Sequence, residues 1–146
     1  MRYAHEMPDV APLAADLRFA LNRLNRRLRH QQLGDDLTVS QLSALSVLRR
    51  EGPLSAGDLA AREHVRPPSM TRIIAALQRM GMIDRRTNPE DGRQVLVDLT
   101  AEGVARADAE GAARERWLAQ KLSTMTPEER ALLREAAALL NRLAER

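Results

Sequence analysis

Residues 66–99 read RPPSMTRIIAALQRMGMIDRRTNPEDGRQVLVDL, and a change of period inside this stretch decides the fold. In its first half Met70, Ile73, Ile74 and Leu77 recur at helical spacing, one apolar face of a helix. Pro67 suits the first position of that helix, where no amide hydrogen is needed. A helix is therefore expected from Pro67 to about Met80, stopped by Gly81. Beyond Gly81 the period shortens to two. Met82–Arg86 and Arg93–Leu99 read as short strands, the second alternating through Val95, Val97 and Leu99. Between them Thr87-Asn88-Pro89-Glu90-Asp91-Gly92 is made of turn formers. A β-hairpin is thus expected directly behind a helix.

Immediately upstream, Ser55 with Asp58 three residues on is a helix cap, flanked by Leu54 and Leu59 as a hydrophobic staple. A short helix over about 56–63 follows. Two helices joined by a short turn, the second with a basic N-terminal end, form a helix-turn-helix. Further out, Thr38-Val39-Ser40-Gln41 is a capping box that opens a helix over about 39–50. That helix is expected to bury Leu42, Leu45, Val47 and Leu48 and to stop at Gly52-Pro53. Leu13, Leu17, Leu21, Leu24 and Leu28 make an apolar stripe on a first helix within 11–32. Past the hairpin, Thr100 caps a long helix from 101 to about 122. Thr126-Pro127-Glu128-Glu129 opens a last one to about 144, with Leu132, Leu133, Ala136, Leu139, Leu140 and Leu143 inward. The fold class is mainly α with a small β-wing: a winged helix-turn-helix between N- and C-terminal helices.

Composition agrees and excludes several chemistries. The chain has 146 residues, 44% of them hydrophobic but only 2% aromatic. Its apolar content is dominated by Ala and Leu, the best apolar helix formers. Without cysteine it has no disulfide, zinc-thiolate site or cysteine nucleophile. No charge-free run reaches the roughly 18 residues of a membrane span. No apolar stretch follows the N-terminal Met-Arg-Tyr-Ala-His-Glu, so no signal peptide is expected and the location is read as cytoplasmic. His5, His30 and His64 lie far apart in sequence, so no metal site is expected. There is no phosphate-cradling glycine loop, His-Glu-x-x-His or nucleophile elbow. Asp35-Asp36 and Glu128-Glu129 sit where helices begin, which explains both pairs structurally. Neither an enzyme nor a cofactor is expected.

Charge placement points to DNA. The net charge is +3, and the positive balance lies in the middle of the chain, while residues 100–146 are balanced. Arg18, Arg23, Arg26, Arg27 and Arg29 form one dense group, read as a solvated face; the other runs from Arg66 to Arg93. A recognition helix presents its N-terminal residues to base edges in the major groove. Here these are Arg66, Pro67, Pro68, Ser69, Thr71 and Arg72. The two prolines lack amide hydrogens, which leaves the cap position to Arg66 and the phosphate anchoring to its charge. Ser69 and Thr71 are short donor–acceptors, and Arg72 is long enough for bidentate contact with guanine. Arg93 at the hairpin tip suits a narrow minor groove. Asp91 stands close enough in sequence to orient it by a charge-assisted hydrogen bond. Arg85 and Arg86 lie on the opposite strand, and Ser55, opening the first helix of the pair, completes the candidate DNA-binding set.

From Leu54 to Gly103 the sequence resembles the MarR family of winged-helix transcriptional regulators. The carrying residues are Leu59-Ala60, Val65, Pro67, Ser69, Thr71-Arg72, Leu77, Gly81-Met82-Ile83-Asp84-Arg85-Arg86, Pro89, Asp91-Gly92-Arg93, Val97 and Leu99-Thr100-Ala101-Glu102-Gly103. The helix order extends the likeness over about 11–146. The resemblance implies a homodimer joined through first and last helices, with two lobes on a palindromic operator of double-stranded DNA. It implies repression of nearby genes, relieved by a small aromatic acid or phenol bound between the dimer part and the DNA lobe. The leucine stripes of the two end helices, without a partner inside one lobe, fit a twofold interface. The expected organisation is a dimerisation helix in 1–37, the DNA-binding domain in 38–100 and the rest of the dimerisation region in 101–146. Phe19, His30 and Trp117 are the candidate ligand-pocket residues, with Met125 a further one. Where the family often has Leu-Gly before the recognition helix, this chain has Glu63-His64, and His takes positive φ at some cost. The alternative reading is a helical protein-interaction module with a degenerate winged helix that does not bind DNA. The presence together of Arg72, Arg85, Arg86 and Arg93 argues against it.

Overall fold

A computed structural model of the chain describes residues 9–145. His5 and the N-terminal segment examined for a signal peptide lie outside them. The elements run α1 (Val10–Arg29), α2 (Val39–Glu51), β1 (Leu54–Ser55), α3 (Ala56–Glu63), α4 (Pro67–Arg79), β2 (Ile83–Thr87), β3 (Val95–Leu99), α5 (Ala101–Ser123) and α6 (Pro127–Ala144). The capping residues act as their spacing predicts. Thr38 and Gln41 exchange both bonds of a capping box, as do Thr126 and Glu129, and Ser55 accepts the Asp58 amide at 3.1 Å.

The hairpin strands begin later than read, β2 at Ile83 and not Met82, β3 at Val95 and not Arg93. Two further differences from the sequence reading have physical causes. The first helix ends at Arg29, short of the residue 32 allowed for it. The loop after it is instead pinned to α5, where the Glu110 carboxylate accepts the Leu33 amide at 3.3 Å. The second is β1, a two-residue strand that pairs antiparallel with β3, Leu54 opposite Val97 and Ser55 opposite Leu96. Its residues double as staple and cap for α3, which hides the strand in the sequence. The sheet order is β1-β3-β2. The β2–β3 register sets Ile83 opposite Leu99 and Arg85 opposite Val97.

Every buried hydrophobic side chain lies between Leu37 and Val97 among the described residues. Leu42, Leu45, Leu48, Leu59, Met70, Ile74, Leu77, Ile83 and Val97 close one core between α2, α3, α4 and the sheet. Burying one such side chain contributes about 1.5–3 kcal/mol. The outer helices differ sharply. Neither α1 nor α6 buries a residue, and Leu139 and Leu143 remain 54% and 74% exposed. The inward face expected for α6 is only partly covered in a single chain: Ala136 and Leu140 are half-buried, while Leu132, Leu133, Leu139 and Leu143 are exposed.

Two close contacts set the wing behind α4. The helix ends in a Schellman motif: Gly81, at φ 74°, gives its amide to Gln78 while the Met82 amide reaches Leu77. At the far end Thr100 accepts the Gly103 amide at 3.1 Å, capping α5, and donates to the Gly81 carbonyl at 2.6 Å. A Cβ on Gly103 would stand 2.0 Å from the Met82 carbonyl oxygen, so only glycine fits there. These contacts give Leu99-Thr100-Ala101-Glu102-Gly103 its physical meaning.

Candidate nucleic-acid interface

Helix α4 divides cleanly. Met70, Ile74 and Leu77 are buried, while Arg66, Pro67, Pro68, Ser69, Thr71 and Arg72 are exposed at its N-terminal end. Arg66 occupies the cap position with extended backbone and makes no side-chain cap bond. Thr71 is already half-engaged: its hydroxyl donates to the Pro67 carbonyl at 3.0 Å. The turn that aims α4 is closed by His64 at φ 53° and ψ 39°, the left-handed conformation. The Val65 amide reaches Ala60 and the His64 amide reaches Ala61, the Schellman pattern again. Histidine therefore adopts the left-handed backbone favoured by glycine.

The wing tip is built from side chain to backbone. The Asn88 amide donates to the Gln94 carbonyl at 2.9 Å and its side-chain Nδ2 to Gln94 Oε1 at 2.7 Å. Asn88 Oδ1 accepts the Glu90 amide, and Asp91 Oδ1 accepts the Arg93 amide at 3.1 Å. The charge-assisted bond expected between Asp91 and the Arg93 guanidinium is not made. The carboxylate spans the turn to the backbone instead, so Asp91 shapes the loop and leaves the Arg93 head to solvent.

Arg85 and Arg86 point to opposite faces of β2. Arg85, on the core face, donates from Nε to Gln78 Oε1 at 3.2 Å, tying the wing to α4. Arg86, on the outer face, pairs with Asp98 at 3.5 Å. Both anchor the hairpin, which places them away from the open tip. Ser55 is half-buried, its oxygen committed to the α3 cap. Arg66, Arg72 and Arg93 enter no ion pair among the described residues, whereas Arg49, Arg62, Arg86 and Arg106 all do.

Away from this surface, Arg106 joins α5 to the loop before α2. It meets Asp36 through two nitrogens at 2.7 and 2.9 Å and Glu110 at 3.0 Å. Glu110 is the buried charged residue of the described chain, and its four-residue spacing from Arg106 was the only trace in the sequence. The Arg106 guanidinium holds the Asp36 carboxyl below the usual carboxylate range, chiefly by hydrogen bonding, against the cost of burial. Asp36 and Glu110 in turn hold the Arg106 guanidinium more firmly protonated than usual.

The proposed ligand residues do not share a pocket. Trp117 walls a cleft of about 510 Å3 between α1 and α5 with Arg23, Arg26, Arg27 and Lys121, to which Phe19 and His30 do not contribute. Arg27 and Lys121 sit 5.9 and 5.8 Å from the Trp117 ring centre, so the supposed solvated face partly stacks on an aromatic. Sequence reading missed a second cavity, of about 280 Å3, where α1, α2 and α5 meet. Its charged wall is Arg29, Arg50 and Arg114, three residues no local motif connects. Among the described residues no group of three or more His, Asp or Glu could hold a metal, and no helix is long and apolar enough to cross a membrane.

Comparison with known proteins agrees with this architecture. The MarR family profile matches residues 37–95. An uncharacterised HTH-type transcriptional regulator of Mycobacterium bovis is 48% identical over 135 residues, covering 92% of this chain and 94% of that protein. The HTH-type transcriptional repressor MdtR of Bacillus subtilis is 28% identical over 95% of this chain and 90% of its own. A solved Pseudomonas aeruginosa structure, described as a transcriptional regulator, superposes with a TM-score of 0.84 at 34% identity. It covers 94% of this chain and 96% of that one. With the wing, the capped helix pair and the Thr100–Gly103 lock in place, the chain belongs to the MarR family of transcriptional regulators.

Proposed function

We propose that two copies of the chain bind a palindromic operator and repress the genes beside it, α4 of each copy lying in a major groove and Arg93 in the adjacent minor groove. The observation that carries this reading is the contrast among arginines. Arg49, Arg62, Arg85 and Arg86 of the lobe are paired or bonded, while Arg66, Arg72 and Arg93 stand unpaired together, among the described residues, on one reading helix and its wing; Arg50 on α2 and Arg79 at the far end of α4 are unpaired too, but away from those positions. Bare cations on a rigid frame are what phosphate and groove contacts use. The second copy is supported by the uncovered leucines of α1 and α6, and repression by the likeness to MdtR. Relief by an effector is supported by the cavity where α2, the first helix of the DNA lobe, meets α1 and α5. The alternative, a module that never meets DNA, would leave the bare arginines without a role.

The test is selection of bound fragments from the source genome by the purified full chain at low ionic strength. Recovered sites with twofold symmetry, upstream of genes that are derepressed when the chain is deleted, support the reading. A folded protein that retains no fragment overturns it.

A further inference from the structure

Three arginines from three helices line one small cavity: Arg29 from α1, Arg50 from α2 and Arg114 from α5, the first two exposed and the third half-buried. No Asp or Glu lines it, and none of the three arginines enters an ion pair among the described residues. Arg114 Nε is sealed from solvent without a hydrogen-bond partner. Guanidinium has no neutral state to retreat to and no acceptor atom of its own. A ligand among these side chains must therefore bring lone pairs, and three cations call for more than one negative charge.

We propose that this cavity takes a compact polyanion, a phosphate ester or a di- or tricarboxylate, in place of the flat aromatic acid or phenol the family resemblance suggests. The inference rests on reading the cavity as the effector site. Its size suits a compact ligand: about 280 Å3 is roughly nine times a water's ~30 Å3 share of the liquid. Ser46 and Asn25 add neutral hydrogen-bonding groups to the wall. Ser43 offers only its oxygen, since its proton goes to Glu63 Oε1 at 3.0 Å. An aromatic acid fits poorly. No aromatic side chain lines the wall, and one carboxylate answers one of three cations. A polyanion there draws α2 toward α1 and α5, and so resets the angle at which the lobe presents α4.

Thermal melts of the full chain with inorganic phosphate, citrate or salicylate, at ionic strength matched by NaCl, test the proposal. Phosphate or citrate at ten times its Kd should raise Tm by about 4 °C, while salicylate and extra NaCl do not. Arg114→Gln should abolish the shift. Arg50→Gln, at an exposed side chain where folding is safe, should weaken binding at least about tenfold. Arg93→Ala should keep the shift, which excludes anions held at the wing. The proposal is overturned if no anion shifts Tm, if salicylate alone does so through Arg114, or if every anion acts equally on parent and both cavity variants. Operator binding is followed in parallel. Its absence with the Tm shift intact defeats the DNA reading alone; intact binding with no Arg114-dependent shift defeats only the polyanion.

Discussion

Arg93 and Arg86 are the same side chain on one hairpin, and their neighbours give them different work. Asp98 holds Arg86 to the outer face of the sheet, whereas Asp91 spends its carboxylate on the backbone and leaves the Arg93 head bare. Arg93→Ala should weaken operator binding by about 1–3 kcal/mol without changing Tm; unchanged affinity in titrations at physiological salt removes the wing from the mechanism. Asp36 carries a pH prediction. Its carboxyl is depressed by Arg106, so its contribution is complete above the ordinary carboxylate pKa and lost as pH falls through the folded value. Tm of the parent should exceed that of Asp36→Asn at neutral pH, and the gap should close below about pH 4. A gap constant down to pH 2 would mean that the ion pair is not its source. Neither role was legible in sequence. Asp36 and Arg106 stand 70 residues apart, and a pairing made by tertiary structure leaves no local pattern.

The starts of the capped helices were legible to the residue, because each is written in a few adjacent side chains, whereas the end of α1 was not. Thr38-Gln41, Ser55-Asp58 and Thr126-Glu129 all cap as their spacing requires. Strand β1 was hidden because Leu54 and Ser55 already had a reading as staple and cap, and two residues show no period. The turn between α3 and α4 repeats the lesson at His64. A Schellman close needs the left-handed backbone there, and the fold imposes it on histidine at a cost of about 1 kcal/mol relative to glycine. His64→Gly should therefore raise unfolding stability by about 1 kcal/mol in urea titrations, with operator affinity retained. A loss of stability would show that the histidine side chain compensates the strain.

At the scale of the whole molecule, two regions obey different rules. Residues 37–97 close their own core, whereas α1 and α6 bury no residue and leave most of their leucines exposed. The sequence announced the stripes, but a stripe does not say what covers it. If a second copy does, charges placed on the open leucines should spare the lobe and break the pair. Leu139→Glu with Leu143→Glu should halve the mass seen by light scattering while leaving the helical signal of each chain intact. A dimer that survives both changes puts the interface elsewhere. The ligand residues were the least legible part, since Phe19, His30 and Trp117 are isolated side chains whose neighbours only the packed structure assigns.

The bond from Thr71 to the Pro67 carbonyl reaches beyond the helix that contains it. With its only proton turned back on the backbone, Thr71 in the proposed complex would meet a base edge as a pure acceptor. It would then discriminate in favour of exocyclic amines, on adenine or cytosine, and against the keto oxygens of guanine and thymine.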